Sequence, residues 1–356
     1  MHDQPHDLLF LPGPVEVDPE LRAILAEPMV GHRSQRFKAE LLRVLGRLQE
    51  LFATRAHTLL ENAPATALME AGIRNLVARR VLVTTCGAFS ERWATIARSC
   101  GREVETLAVP WGQAVTPEAL RAALRARGPF EAVTITHNET STGVIQPLRE
   151  LAAAVRETAP ETLVLVDVVT SLAGAELPFD AWGLDLAFAG TQKALALPPG
   201  LVVYALSDRA LRRSAEVPDR GFLLDFVRAR EGLAKGETLA TPCVPLVFAL
   251  GRQLDRILAE GLLPRAARHA ALQARVAAWA ARHGFTFFPE QAAWRSPTVS
   301  CLRASGRDVP ALLQKARAAG FVLDGGYGPL KGQTFRIGHM GDHGVARVDA
   351  LLAAIP

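Results

Sequence analysis

The sequence predicts an α/β protein built as two packed units: a large one around a mostly parallel sheet covered on both faces, and a smaller α+β one after about residue 260. Three observations carry this expectation. The chain has 356 residues, more than the roughly 250–300 at which a single hydrophobic core stops growing. Over the first two-thirds, short apolar, β-branched segments alternate with longer helix-period segments, as βαβ units require. Beyond that the character changes to one long Ala/Arg-rich helical pattern followed by short strands.

Element by element, Asp18-Pro19 makes an N-cap and N1 pair for a short helix running through Leu25. Residues Gln35–Phe52 then place Phe37, Leu41, Leu45, Leu48 and Phe52 on one helical face. Candidate strands are Val81–Thr85, Val104–Val109, Ala132–Thr136, Leu163–Asp167, Leu186–Ala189 and Leu201–Leu206. Helical patterns at Phe89–Ser99, Pro117–Arg125 and Leu148–Glu157 lie between several of them. The second unit reads as a helix at Leu262–His283, strands at Val299–Arg303, Phe321–Leu323 and Phe335–Gly338, and helices at Val309–Ala319 and Val345–Ala354. The expected organisation is an N-terminal arm (1–16), a large domain (17–259) and a small domain (260–356), with a ligand cleft between the domains.

Composition narrows the function classes. Hydrophobic residues make up 49% and charged residues 21%, an ordinary globular balance. The apolar runs are too short to span a bilayer, and Met1–Phe10 has no signal-peptide pattern. A soluble cytoplasmic protein with no membrane partner is expected. The net charge is +4 and the pI about 9.1, yet arginines alternate with Asp and Glu and no long run of like charge occurs. No nucleic-acid partner is expected. Cys86, Cys100, Cys243 and Cys301 have no metal-site or redox-motif spacing, so buried free thiols are expected and no metal site.

The chemistry concentrates in Thr136–Lys193. One strand ends in Leu165-Val166-Asp167, placing a carboxylate at the C-terminal edge of a parallel sheet, where open α/β folds bind ligands. The next ends in Ala189-Gly190-Thr191-Gln192-Lys193, bringing a lysine to the same edge one crossover later. An aldehyde cofactor with a pyridine ring needs this pair: an amine to form the imine, and a carboxylate to keep the ring nitrogen protonated so that the ring accepts electrons. Spacing alone favours a plain ion pair at the sheet edge.

Thr136-His137-Asn138-Glu139-Thr140-Ser141-Thr142-Gly143-Val144, Leu165-Val166-Asp167, Thr170-Ser171-Leu172, and Gly190-Thr191-Gln192-Lys193-Ala194-Leu195 with Pro198-Pro199-Gly200 follow one another in order. Around them stand Pro12-Gly13-Pro14, Gly31-His32-Arg33-Ser34, Gly87-Ala88-Phe89-Ser90-Glu91-Arg92, Thr241-Pro242, Gly328-Pro329-Leu330-Lys331-Gly332 and Phe335-Arg336-Ile337-Gly338. This series resembles the class V aminotransferases, in the branch that uses alanine, serine or aspartate with glyoxylate, and the resemblance covers essentially the whole chain. It implies a fold-type I pyridoxal 5′-phosphate enzyme with a seven-stranded, mostly parallel sheet. It also implies transfer of an amino group from a small L-amino acid to a 2-oxo acid such as glyoxylate or pyruvate.

By the same resemblance Lys193 is the Schiff-base lysine and Asp167 the ring-nitrogen partner. Phe89 stacks on the ring, Thr140 lies near its phenolic oxygen, and Gln192 reaches the phosphate. Arg336 grips the substrate α-carboxylate through its planar fork. Thr238 and Thr241 reach the phosphate of a neighbouring subunit, which makes the active unit a homodimer. His32 and Arg33 could hold a second anionic group on the substrate.

The family's phosphate cup is a Gly/Ser-rich turn at a helix N-terminus. Here it reads Asn62-Ala63-Pro64-Ala65-Thr66-Ala67. Pro64 has no N–H, so the expected donors are the N–H groups of Ala65, Thr66 and Ala67. Three alternatives stay open: a phosphoserine-type substrate, sulfur transfer on the same fold, and a catalytically weak homologue with a structural role.

Overall fold

The computed structural model describes residues 6–355. Its centre is a seven-stranded sheet of β2 (His57–Glu61), β3 (Arg80–Thr85), β4 (Glu103–Ala108), β5 (Ala132–Thr136), β8 (Leu163–Asp167), β9 (Leu186–Gly190) and β10 (Val202–Leu206), in the order β2-β10-β9-β8-β5-β3-β4. The pairs β9–β8, β8–β5, β5–β3 and β3–β4 are parallel, whereas β10 runs antiparallel to both β9 and β2. Strands β8, β9 and β10 are apolar and buried along their whole length, as strands covered on both faces must be. At the edge, β4 keeps Glu103 and Glu105 and stays partly solvated, which blunts it against pairing with another chain.

The covering helices form where the pattern predicts. Helix α1 (Pro19–Leu25) is capped by Asp18, whose Oδ1 accepts from the Glu20 N–H at 2.9 Å. Helix α2 (Gln35–Phe52) starts at Ser34 and buries Phe37, Leu41, Val44, Leu48, Leu51 and Phe52; Leu45, expected on that face, is only half-buried. Helices α3 (Ala65–Leu76), α4 (Ala88–Ser99), α5 (Pro117–Arg127), α6 (Leu148–Thr158), α7 (Asp208–Glu216), α8 (Phe226–Leu233) and α9 (Val244–Glu260) complete the large unit, with α9 packed on α2. A two-stranded turn, β6 (Asn138–Glu139) and β7 (Val144–Ile145), stands on the C-terminal end of β5.

The smaller unit follows as α10 (Leu262–Arg282), β11 (Thr286–Phe287), β12 (Val299–Arg303), α11 (Val309–Ala318), β13 (Phe321–Val322), β14 (Thr334–Gly338) and α12 (Val345–Ala354). Its antiparallel sheet has the order β11-β12-β14. A second hydrophobic core, including Leu272, Trp279, Phe335 and Leu351, lies under this sheet. The N-terminal segment joins it: β1 (Leu8–Leu9) pairs parallel with β13, and Phe10 is fully buried, stacked 4.2 Å from His343. Burial of that one ring is worth about 1.5–3 kcal/mol, enough to hold the arm on the small unit.

One expectation is corrected. Cys86 and Cys301 are buried, but Cys100 is half-buried and Cys243 is exposed at the start of α9. Gly328–Leu330 forms a short 3₁₀ helix. Among the described residues, no helix is long and apolar enough to cross a membrane.

Candidate active site

The parallel strands bring their C-terminal ends together at one edge. Asp167 is the last residue of β8, in register with Thr136 of β5 on one side and Phe188 of β9 on the other. It is 4% exposed. Its Oδ1 accepts from the Val169 N–H at 2.8 Å; among the described residues, Oδ2 accepts no hydrogen bond. Burial pushes the Asp167 carboxyl up to about 7, and the Glu139 charge adds to this, while the Val169 bond and the Lys193 and Arg92 charges pull the other way.

After β9 the chain turns through Thr191, whose hydroxyl donates to the Pro198 carbonyl at 2.6 Å and closes the loop that carries Lys193. The Lys193 amine donates to the carbonyl of Pro12 in the N-terminal arm. This contact needs Gly13: its φ is +100°, and a Cβ there would lie 2.5 Å from the Lys193 side chain. Burial lowers the Lys193 amine to about 8; the Arg336 charge lowers it further, and Asp167 and Asp324 act against both. Asp167 and Lys193 therefore share one desolvated pocket and feel each other's charge.

The next wall comes from α4. Its N-cap is Gly87, which offers no side-chain oxygen, and the buried Glu139 takes over the role. The Glu139 carboxylate accepts from the Phe89 N–H at 3.3 Å, the Ser90 N–H at 2.8 Å, and both the N–H and hydroxyl of Ser141 at 3.1 and 2.6 Å. A Cβ on Gly87 would meet Glu139 at 2.5 Å, so only glycine admits this cap. The arrangement fixes Phe89, whose ring lies 5.3 Å from that of Tyr327 in the small unit.

Thr140 is buried, and its hydroxyl lies 3.1 Å from that of Thr170. Its carbonyl accepts from Arg336 Nη1 at 2.9 Å. Arg336, on β14 and 4% exposed, also donates from Nε to Asp324 Oδ1 at 2.8 Å. Two of its three nitrogens are thus committed and Nη2 remains. Its guanidinium stands 5.5 Å over the Tyr327 ring.

At the expected cup, α3 starts from Pro64 with φ −72° and ψ 151° and has no side-chain cap. The Pro64 carbonyl accepts from the Ala67 N–H at 2.8 Å. Ala67 is therefore removed from the expected donors, leaving the N–H groups of Ala65 and Thr66. Gln192 folds back over Gly190, where a Cβ would lie 2.4 Å from its amide oxygen. Thr241 is exposed, and its carbonyl accepts from Asn62 Nδ2 at 2.7 Å within the same chain. Thr238 lines a hollow of about 110 Å³ with Glu61, Asn62, Leu223 and Leu224. His32 and Arg33 sit in the turn before α2, where Arg33 is exposed and its charge acts on Glu237.

The family model for class V aminotransferases matches residues 53–318. The chain belongs to the class V aminotransferases. It is 32% identical to the L-aspartate–glyoxylate aminotransferase of Paracoccus denitrificans, over 94% of this chain and 86% of that one. A solved aspartate aminotransferase of subgroup IV from Thermus thermophilus is 35% identical, with a TM-score of 0.91 over 98% of this chain and 100% of the other. An alanine–glyoxylate aminotransferase from Nostoc sp. is 30% identical, with a TM-score of 0.92 over 99% and 95%. As a class V aminotransferase this chain is a pyridoxal 5′-phosphate-dependent transaminase of fold-type I.

The residues of this aminotransferase fit that cofactor. A buried carboxylate with one unbonded oxygen suits a protonated ring nitrogen, and a desolvated amine suits an aldehyde. Two unbonded N–H groups at a helix start suit a phosphate. Sequence reasoning missed Arg92, Tyr327, Asp324 and the capping role of Glu139. Only Glu139 left a sequence signal, as a carboxylate inside a Thr/Ser-rich turn at a strand end.

Proposed function

We propose that this aminotransferase moves the amino group of a small L-amino acid, alanine, serine or aspartate, to glyoxylate or pyruvate. The observation that carries the assignment of residues is the desolvated Asp167–Lys193 pair at the sheet edge, with Arg336 above it. The branch of substrates rests on the likeness to enzymes named for aspartate, alanine and glyoxylate. We further propose a homodimer, with Thr238 and Thr241 serving the partner's site, and His32 and Arg33 holding a second anionic group on the substrate. The domain boundaries proposed are 16/17 and 259/260. The four free cysteines accord with a reducing, cytoplasmic setting.

When bound, the cofactor supplies an aldehyde that takes up amino groups and a pyridine ring that accepts the electron pair released at the substrate Cα. Lys193 would hold the cofactor through Nζ, and its amine would carry the proton between the substrate Cα and the carbon that accepts it. Its desolvation keeps a useful fraction unprotonated near neutral pH. Asp167 would hold the ring nitrogen protonated through charge pairing. Phe89 would cover the ring face with Thr140 beside it, and Ala65, Thr66 and Gln192 would hold the phosphate. Arg336 Nη2 binds the substrate carboxylate while Asp324 and the Thr140 carbonyl fix the guanidinium plane. Tyr327 closes the small-unit side against water.

A panel of amino donors against glyoxylate, pyruvate and 2-oxoglutarate, run with wild type and Lys193→Ala, tests the proposal. The expected result is turnover with at least one small donor and glyoxylate or pyruvate, with loss of both turnover and visible cofactor absorbance in the variant. A folded Lys193→Ala protein that keeps its turnover would sink the assignment.

A further inference from the structure

Among the described residues, the start of α3 keeps two N–H donors without a partner, yet a full positive charge stands beside it. Arg92, one turn into α4, donates from Nη1 to the Thr66 hydroxyl at 3.2 Å and from Nη2 to the Tyr327 hydroxyl at 3.2 Å. Its guanidinium lies 4.8 Å over the Phe89 ring. Many arginines in this chain are paired, as Arg43 is with Glu40 and Asp255, and Arg265 with Glu260 and Asp342. Among the described residues, Arg92 has no carboxylate within ion-pair distance. The neighbouring Glu91 is turned away and accepts from Trp111 Nε1 at 2.8 Å.

This placement sets like polarities side by side. The N-terminal end of α3 carries the positive pole of its peptide dipoles, and a second positive group stands against it with two neutral hydroxyls as its hydrogen-bond partners. An anion held between them turns the repulsion into two attractions. We infer that Arg92 is a phosphate ligand of the cofactor site, its guanidinium supplying the donors and charge that Pro64 removes from the cup. The inference rests on reading Ala65 and Thr66 as the phosphate cup. Arg92 suits the role: its planar fork can give a phosphate one nitrogen and keep another on Tyr327. The Phe89 ring, fixed from below by the Glu139 cap, holds the guanidinium by cation–π contact. Phosphate binding would thereby be coupled to the small unit through Tyr327.

The test compares binding of pyridoxal 5′-phosphate with that of pyridoxal, which lacks the phosphate, by wild type, Arg92→Gln, Arg92→Lys and Tyr327→Phe, each shown folded by circular dichroism. Stabilisation of the apoprotein by inorganic phosphate is read in parallel melts. Arg92→Gln is expected to lose roughly ten- to a hundredfold in affinity for the phosphorylated form, the range for one charge-assisted bond, with pyridoxal unaffected. Arg92→Lys should recover part of the loss, and the melt of Arg92→Gln should no longer respond to phosphate. Equal losses for both ligands, or no loss, would overturn the inference. So would a Tyr327→Phe variant with the same phosphate-selective loss, since Arg92 would then act only by holding Tyr327. If wild type itself does not prefer the phosphorylated form, the cup reading fails with it. Failure of Arg92 alone leaves that preference intact in wild type and Arg92→Gln alike.

Discussion

The amine of Lys193 offers the sharpest test of the site, because its reactivity depends on a proton that burial displaces. Desolvation, with the Arg336 charge added, brings it to about 8 from the 10.5 of an ordinary lysine, against the pull of Asp167 and Asp324. At pH 7.5 an amine titrating at 8 is about one-quarter unprotonated, and one titrating at 10.5 about one part in a thousand, a ~240-fold difference in reactive form. Rapid mixing of apoprotein with pyridoxal 5′-phosphate across pH 6–10.5, followed by visible absorbance, should give a capture rate that rises to a plateau with its midpoint near 8. Removing the Arg336 charge with Arg336→Gln should move that midpoint upward. The sign for stability is equally definite. The folded value of Lys193 is lower than its unfolded value, so its contribution opposes folding below pH 8 and is relieved as pH rises from 8 towards 10.5. A capture rate that keeps climbing past pH 10 without a plateau would refute the desolvated amine and the reasoning built on it.

Other perturbations separate the remaining roles. Asp167→Asn should still take up cofactor but lose most turnover, at least a hundredfold by analogy with other charge-pair losses, because an amide cannot hold the ring nitrogen protonated; near-normal kcat in the loaded variant would count against Asp167. Arg336→Lys should raise KM for the amino donor roughly tenfold or more while cofactor dissociation stays unchanged, since lysine cannot reproduce the fork bound by Asp324 and Thr140; an unchanged KM would place the carboxylate elsewhere. Restoring the cup with Ala63→Gly, Pro64→Ser and Ala65→Gly together should slow cofactor loss on dialysis by roughly ten- to a hundredfold. Equal loss rates would show that the altered cup costs nothing.

The fold was legible wherever one physical pattern dominated. Strands β5, β8, β9 and β10 are short buried runs with β-branched or aromatic residues, and α2 has a clean apolar stripe; both were readable with little error at their ends. Helix α9 escaped because it is buried on most sides, with Val244, Leu246, Val247, Ala249, Leu250 and Leu254 all inside, so no single face stands out. Strand β2 escaped because His57, Thr58 and Glu61 interrupt its apolar character within five residues. In the site, Asp167 and Lys193 could be placed at a common edge because each closes a recognisable strand. Arg92 and Tyr327 could not, since they lie 235 positions apart and meet only when the small unit docks. The lost Ala67 donor depends on a backbone turn at Pro64 whose direction the sequence does not state.

The charges around the sheet edge also explain what kind of molecule the pocket accepts. Glu139 is spent on four donors, two at the start of α4 and two on Ser141. Asp324 is spent on Arg336 Nε and the Gly326 N–H. Asp167, raised by burial, keeps Oδ2 without a hydrogen bond among the described residues. Against it stand the Lys193 amine on a neutral carbonyl, the uncommitted Nη2 of Arg336, and Arg92 beside the positive end of α3. Such a pocket favours a ligand that brings one positive centre for Asp167 and several negative ones for the cations. A phosphorylated pyridinium with a carboxylate-bearing substrate has that distribution; a neutral or cationic metabolite does not. Because Lys193 and Arg336 are desolvated, the preference should survive salt better than surface attraction does, so it belongs to the built site and not to the net positive charge of the chain.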